Sequence, residues 1–305
     1  MNETLVEQDP GSTVGDAPVN SMMTPPPATA SQVVVPAQGC SSCSAPVARA
    51  TAQAASDPWV YVIGDVDPRY PSLSVEKEAM GTMARAKVTG LSNDAALHSI
   101  LGMQENAYLV REMCFVLLVQ EVETYILVPR SPLDYPMLVE ACKTERSAVI
   151  GTIGPVADPS ACNGLTLPYL IFDVIYNFDR SALIADLPLP KGAAEQKFRA
   201  AAADIFNQIV SLAPSGRFME RAVAFLLMKD PQFYQVIWDA LNNNSQLTSV
   251  ETKPAPVTSP SQNLVDVMVT TTDRGTGVQT CMYARVNLSG KLPYVVNYWQ
   301  RCIRP

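Results

Sequence analysis

The chain has 305 residues, a formal net charge of −7 and a sequence pI of about 4.8, so it lacks the basic surface that binding to nucleic acid requires. Hydrophobic residues make up 48% of the sequence and charged residues only 17%. The longest apolar run, 113–120, is too short to cross a bilayer. The first residues lack a secretory signal, so we expect no membrane contact and a cytoplasmic location.

Histidine occurs once, as His98. Zinc sites of the HExxH and Cys₂His₂ types and iron sites with two histidines need more than one, so they are excluded. A serine–histidine or cysteine–histidine pair would have to use His98, which falls in a short predicted helix with Asp94 as its N-cap. We therefore expect His98 to be structural or to lie at the surface.

The cysteines do not predict a disulfide framework. There are seven, Cys40, Cys43, Cys114, Cys142, Cys162, Cys281 and Cys302. An odd number in a large chain without a secretion signal argues against disulfides. Cys114 lies in an apolar run, where we expect its thiol to pack as a small hydrophobic group.

Residues 1–57 are rich in Pro, Ser, Thr, Ala and Gly. Such a segment buries too little apolar surface to offset the entropy of ordering, which predicts a disordered arm or linker. It contains the closely spaced pair Cys40 and Cys43, half of a zinc site or a redox dithiol. Because no second CxxC completes a tetrahedral set, we expect no cofactor, with zinc held by Cys40 and Cys43 as the alternative.

The first half of the ordered chain mixes short strands with helices. The predicted strands cover 59–63, 112–120, 124–129, 147–153 and 165–172. The predicted helices cover 73–86, 94–101, 132–143 and 180–184. Gly64–Pro68 is expected to end the first strand, Ser72 or Ser74 to cap the first helix, and Asp179 to cap the last helix.

The second half is helical at first and then strand-rich. Helices are predicted at 193–212, 217–228 and 231–241, each with one apolar face. A polar connector at 242–262 leads to three strands with turns at Asp273–Gly277 and Ser289–Gly290. The order predicts an α+β fold: a mixed or antiparallel sheet with a helical layer, ending in a β-meander and preceded by the disordered arm.

Two groups of residues are candidates for chemistry or for binding. Asp65, Asp67 and Cys162 are the groups on which an enzyme without a catalytic histidine could rely, although Asp67–Pro68 is also typical of a turn. Tyr294, Tyr298 and Trp299 are candidates for a peptide-binding aromatic patch. Alternate aromatic residues on a strand also serve as core and sheet-face packing.

Several segments, in this order along the chain, resemble one known domain. They are Trp59–Asp65, Ser74–Ala79, the hairpin 114–129, Arg180–Ile184, Arg217–Phe225, Phe233–Ile237, Leu247–Glu251, Leu264–Met268, Met282–Val286 and Val295–Trp299. The domain is the C-terminal domain of unknown function of PatA- and PatG-type cyanobactin maturation proteases. The likeness spans about 58–300. The family's cysteine-containing connector is replaced here by Pro254–Pro260, which has no thiol, so a metal site built there is not implied for this chain.

The resemblance implies a stand-alone domain over 58–305, with a sub-boundary near 242–262. It implies a non-catalytic accessory module in the maturation of ribosomally made, modified peptides. The implied partners are a peptide precursor or a subtilisin-like maturation protease, with a homodimer as a further possibility. An exposed sheet edge that accepts an extended peptide is one route to such binding. A hydrolytic or small-molecule enzyme using Asp or Cys, and a structural dimer-forming protein, remain the alternatives.

Overall fold

The computed structural model describes residues 58–88, 90–256 and 262–302; the predicted arm, with Cys40 and Cys43, lies outside them. The strands in these ranges are β1 (Trp59–Arg69), β2 (Cys114–Val119), β3 (Val122–Pro129), β4 (Arg146–Val156), β5 (Pro168–Phe178), β6 (Ser245–Pro254), β7 (Leu264–Asp273), β8 (Gln279–Asn287) and β9 (Tyr294–Arg301). The α-helices are α1 (Leu73–Arg85), α2 (Asn93–Leu101), α3 (Ala107–Glu112), α4 (Tyr135–Ala141), α5 (Arg180–Ala185), α6 (Glu195–Val210), α7 (Glu220–Lys229) and α8 (Pro231–Asn242). None of these helices is long and apolar enough to span a membrane.

The first five strands close into a barrel in the order β1-β2-β3-β5-β4. Neighbouring strands are antiparallel except β3 and β5, which are parallel. Alternate side chains, such as Val62, Leu117 and Phe172, share one hydrophobic cluster with residues of α1–α4. The interior is therefore a packed core, as expected for a barrel with so few strands.

Strand β1 does not end at Gly64, and the prediction that it does was wrong. Residues 59–64 pair with β4, and from Asp65 onward the same strand pairs with β2. A Cβ on Gly64 would collide with the backbone carbonyl of Leu118. Glycine here permits a close approach of two backbones inside a continuous strand, rather than marking its end.

The second half of the chain adds a helical layer and a second sheet. The sheet has the antiparallel order β6-β7-β8-β9. One hydrophobic cluster contains Tyr61 and Ile150 of the barrel, Phe206 of α6, and Val267 and Val286 of the sheet. The predicted α+β class, helical layer and closing meander are confirmed.

The predicted polar connector at 242–262 was wrong in part, because residues 245–254 form β6. This strand pairs with β7 along its length. Only Leu247 and Val250 pack against the hydrophobic cluster, whereas Gln246 and Glu251 are exposed. The apolar alternation is too sparse for a period-two pattern to be recognised.

The expectation that the chain has no disulfides was also wrong. Cys114 is bonded to Cys162, and Cys281 to Cys302. The first bridge joins β2 to the connection between β4 and β5 and is buried among Val116 and Ile126. The partners are 48 and 21 residues apart, and such pairing cannot be deduced from sequence spacing.

Candidate peptide-binding edge

The two carboxylates proposed for an enzyme are each held by an arginine. Asp65 Oδ1 lies 3.1 Å from Arg146 Nη1, and Asp67 Oδ2 lies 2.8 Å from Arg69 Nη1. Partial burial is the largest influence and raises the pKa of both carboxyls. The positive charge of the neighbouring arginine lowers each pKa by a smaller amount. Within the described ranges, no three His, Cys, Asp or Glu side chains are grouped so that they could hold a metal ion.

Neither Cys162 nor Cys142 provides an activated nucleophilic thiol. Cys162 is bonded to Cys114, so it has no thiol to offer. Cys142 is free but buried, and burial raises the pKa of its thiol to about 12. Since the thiolate is the reactive species, that shift disfavours nucleophilic chemistry at neutral pH.

His98 lies on α2, where it is half-buried. The N-cap of this helix is Ser92, whose hydroxyl accepts a hydrogen bond from the backbone N–H of Ala95. Asp94, the predicted cap, instead occupies the first turn of the helix.

The three predicted aromatic residues all lie on β9 but face in two directions. Tyr294 and Tyr298 are 55% and 62% exposed, and Val296 between them is 42% exposed. Trp299 packs toward the helical layer, where its ring stacks on Phe233 at a centroid distance of 5.4 Å. These exposed alternate residues, Tyr294, Val296 and Tyr298, are called the β9 stripe below.

The indole of Trp299 anchors β9 from the inner side. Its Nε1 donates a hydrogen bond of 2.8 Å to Asp230 Oδ2. The other oxygen of Asp230 accepts the backbone N–H of Gln232 and so caps α8. Trp299 therefore fixes the strand to the helical layer, which leaves Tyr294 and Tyr298 as the exposed pair.

Strand β9 is an edge of the second sheet. Among the described strands it pairs only with β8, so one side of its backbone has no strand partner there. Arg301, at its end, is its one charged residue. Edge strands attract further strands unless charge, proline or a covering element prevents it. Within the described residues, the β9 edge has little of that protection.

The opposite edge of the same sheet differs in this respect. Strand β6 carries Glu251 and Lys253, which form an ion pair of 3.4 Å, and it ends at Pro254. Charged residues and proline are the usual means by which proteins guard an edge strand. The contrast singles out β9 as the edge better suited to accept another strand.

Buried contacts fix the turn that leads into β9. Arg221 of α7 is completely buried, and its Nη2 donates to the carbonyls of Gly290 at 2.6 Å and Lys291 at 3.2 Å. Lys291 Nζ in turn lies 2.9 Å from Asp173 Oδ1 on β5. The start of β9 is thus held by both the helical layer and the barrel.

On the sheet face beside the stripe, Arg285 of β8 forms an ion pair with Asp266 of β7. Arg285 Nε donates to Asp266 Oδ1 at 2.6 Å, and Nη2 donates to Oδ2 at 2.9 Å. The hydrogen bond from this guanidinium to Asp266 raises the pKa of Arg285. A partner that adds to β9 would therefore meet aromatic and apolar groups beside a locally neutral face.

Sequence reasoning identified Tyr294 and Tyr298 but missed two features of this edge. Val296 completes the stripe, and the alternation around it was the available signal. The bond between Cys281 and Cys302 closes the far end of β9. It left no signal in the sequence, because Cys281 lies on β8 and Cys302 directly follows β9 in a meander whose register was unknown.

Two family models match separate parts of the chain. The model described as PatG Domain matches residues 59–157, and the model described as PatG C-terminal matches residues 192–301. A solved structure titled "PatG Domain of Unknown Function" is similar with a TM-score of 0.60 and 14% identity. The similarity covers 80% of this chain and 98% of that one, and at this identity it shows the fold alone. No curated protein matches the sequence.

Proposed function

The family models PatG Domain and PatG C-terminal match residues 59–157 and 192–301 of the chain, and on that premise we propose that it is a non-catalytic accessory module that binds an extended peptide along β9. The observation that carries the proposal is that β9 pairs on one side only among the described strands and has an exposed stripe of Tyr294, Val296 and Tyr298. The bonded state of Cys162 and the raised pKa of the Cys142 thiol support a role without catalysis.

The physics of strand addition fits this edge. An added strand gains main-chain hydrogen bonds from the edge backbone, and contacts between alternate side chains provide the selectivity. Tyr294, Val296 and Tyr298 are the exposed large hydrophobic residues of β9, so each is available to contact a side chain of an added peptide. Aromatic and β-branched side chains pair best with aromatic residues across strands. We therefore expect peptides with apolar or aromatic residues at every second position.

The peptide that we propose is the precursor of a ribosomally made, modified product, as in cyanobactin pathways. The two family matches and the likeness to the C-terminal domain of PatG-type proteases support this choice. An extended segment of a subtilisin-like maturation protease has the same backbone chemistry and is the other proposed occupant of β9. Either role would place the protein in the cytoplasm, where precursors are synthesised.

Binding of selected peptides to the full chain tests the proposal. Peptides would be isolated from a random display library, labelled, and titrated with the wild type and with Tyr294→Ser/Tyr298→Ser. Loss of two exposed aromatic contacts should weaken binding by roughly tenfold or more, about 1.4 kcal/mol. Circular dichroism checks that the variant remains folded.

The matched control changes two exposed tyrosines elsewhere. Tyr108→Ser/Tyr176→Ser alters side chains that are 45% and 44% exposed, on α3 and β5. We expect wild-type affinity from this variant. Equal affinity of both double variants and the wild type would exclude the β9 stripe as the binding surface. Sedimentation across a concentration series identifies the competing case in which a second copy pairs with β9.

A further inference from the structure

The two disulfides differ in their access to solvent. Cys114 and Cys162 are both buried beneath the connection between β4 and β5. Cys281 and Cys302 are only partly buried, at the start of β8 and directly after β9. Reduction requires attack by a thiolate on a sulfur atom that it can reach. A reductant in solution therefore reaches the second bridge more easily than the first.

The second bridge also lies at the weaker end of β9. The start of the strand is held by the turn that Arg221 binds and by a hydrogen bond of 2.9 Å from Asn287 Nδ2 to the Tyr294 hydroxyl. The pairing of β9 with β8 shifts register between Arg285 and Val286 and again, nearer the end of β9, between Tyr283 and Arg285.

Beyond the second register shift, Trp299 still anchors the strand to Phe233 and Asp230, but few contacts remain past it. The Tyr283 hydroxyl lies 3.4 Å from Gln300 Oε1, and the Cys302 N–H donates to the Cys281 carbonyl at 2.9 Å. Gln300 and Arg301 are exposed. A strand end with few contacts opens locally at low free energy, so beyond Trp299 the covalent bond is the main restraint on residues 300–302.

We propose that the Cys281–Cys302 bond is a reducible latch that keeps the end of β9 in place and thereby regulates peptide binding. The inference rests on the proposed function of the β9 edge. A dithiol reductant opens the latch: one thiolate attacks a latch sulfur to form a mixed disulfide, and its second thiol displaces the protein thiol. Cys281 and Cys302 become two thiols, and the dithiol becomes a disulfide, so two electrons and two protons are transferred.

The direction of regulation follows from the cost of ordering the strand. In the oxidised protein the edge is already extended, and a peptide adds to a prepared template. In the reduced protein, binding must also order the end of β9, so the affinity falls. The part of the stripe nearest the latch, Tyr298, is affected more than Tyr294.

Graded reduction of the native full chain tests the latch. The protein is incubated with increasing dithiothreitol, alkylated and digested, and each cysteine is quantified by mass spectrometry. We expect Cys281 and Cys302 to be alkylated at a reductant concentration at least about tenfold lower than Cys114 and Cys162. Parallel reduction of both bridges would overturn the proposal.

Hydrogen exchange of the selectively reduced protein provides the second readout. Exchange should become faster in residues 300–302, beyond the Trp299 anchor, and remain unchanged in β6 and in the barrel strands. Cys281→Ser/Cys302→Ser should reproduce the faster exchange, and Cys142→Ser is the control that removes a thiol without opening a bridge. Unchanged exchange at 300–302 after reduction excludes a latch. This readout requires no peptide, so failure of the proposed peptide binding leaves it interpretable.

Peptide titrations then separate the two proposals. If the oxidised protein binds selected peptides through the β9 stripe, the reduced protein should bind them several-fold more weakly. Equal affinity in both states would contradict the regulatory role even if binding itself is established.

Discussion

Asp173 lies where the barrel meets the hairpin that leads into β9. Its Oδ1 is 2.9 Å from Arg130 Nε and 2.9 Å from Lys291 Nζ. Burial by itself would raise the pKa of this carboxyl, but hydrogen bonds from Lys291 and Arg130 outweigh that effect and lower the pKa. A single carboxylate thus couples β5 to the turn between β8 and β9.

Replacing Asp173 should make the protein less sensitive to acid. Because the pKa is lowered in the folded state, the unfolded chain binds more protons as the pH falls. The stabilisation is present above the ordinary carboxyl pKa of about 4 and is lost as the pH falls through the lowered value. Urea unfolding at about pH 6 and about pH 3 should show a smaller loss of unfolding free energy for Asp173→Asn than for the wild type.

The control for this prediction is Asp204→Asn, which changes an exposed carboxylate on α6. It should lose as much unfolding free energy between the two pH values as the wild type. The coupling that we assign to Asp173 is refuted if Asp173→Asn also loses the wild-type amount.

Single residues were predictable where their partners are close in sequence. Asp179 caps α5 as predicted, because its carboxylate accepts the N–H of Ala182 only three residues away. Trp299 was assigned to the strand, but its face depends on Phe233 and Asp230 of the helical layer. The disulfide partners of Cys162 and Cys302 are likewise set by tertiary structure, which no local pattern encodes.

Strand β1 pairs with two neighbouring strands, because Gly64 allows the backbones of β1 and β2 to approach closely. The strand pairs with β4 up to Gly64 and with β2 beyond it. Any side chain at this position points at the Leu118 carbonyl. The pairing of β1 with β2 in the barrel therefore depends on the absence of a Cβ at Gly64.

Adding that Cβ should destabilise the barrel. Gly64→Ala places a methyl group against a backbone that cannot move without breaking the pairing of β1 with β2. Overpacking of this kind typically costs about 1–3 kcal/mol of unfolding free energy. Gly290→Ala is the control, since an added Cβ there meets no atom within 4 Å. The unfolding free energy of Gly290→Ala should stay within about 0.5 kcal/mol of that of the wild type. Equal stability of the two variants would contradict the role assigned to Gly64.

Elements were predictable in proportion to the strength of their periodic pattern. Helix α1 and the hairpin of β2 and β3 have strong patterns, and both were predicted nearly to their ends. Strand β6 was missed because only Leu247 and Val250 mark its inner face. The prediction that β1 ends at Gly64 was wrong because glycine is common both in turns and at close backbone contacts. Only the tertiary structure distinguishes these two cases.

The whole molecule combines a closed barrel and an open sheet across one helical layer. The α+β class followed from the order of the elements along the chain. Closure of the barrel could not be predicted from that order, because closure requires β3 and β5 to pair in parallel although α4 and β4 lie between them in sequence. The same arrangement leaves β9 at the end of the second sheet. The candidate binding edge is therefore a property of the assembled topology, although the sequence had indicated its tyrosines.

The central claim is that an extended peptide adds to β9, and hydrogen exchange of the full chain with and without a saturating selected peptide tests it most directly. An added strand takes up the backbone groups on the open side of β9. Amides in residues 294–301 should therefore exchange more slowly in the complex, while those of β6 at 245–254 keep their rates. Protection of another surface, with β9 unchanged, would contradict the account.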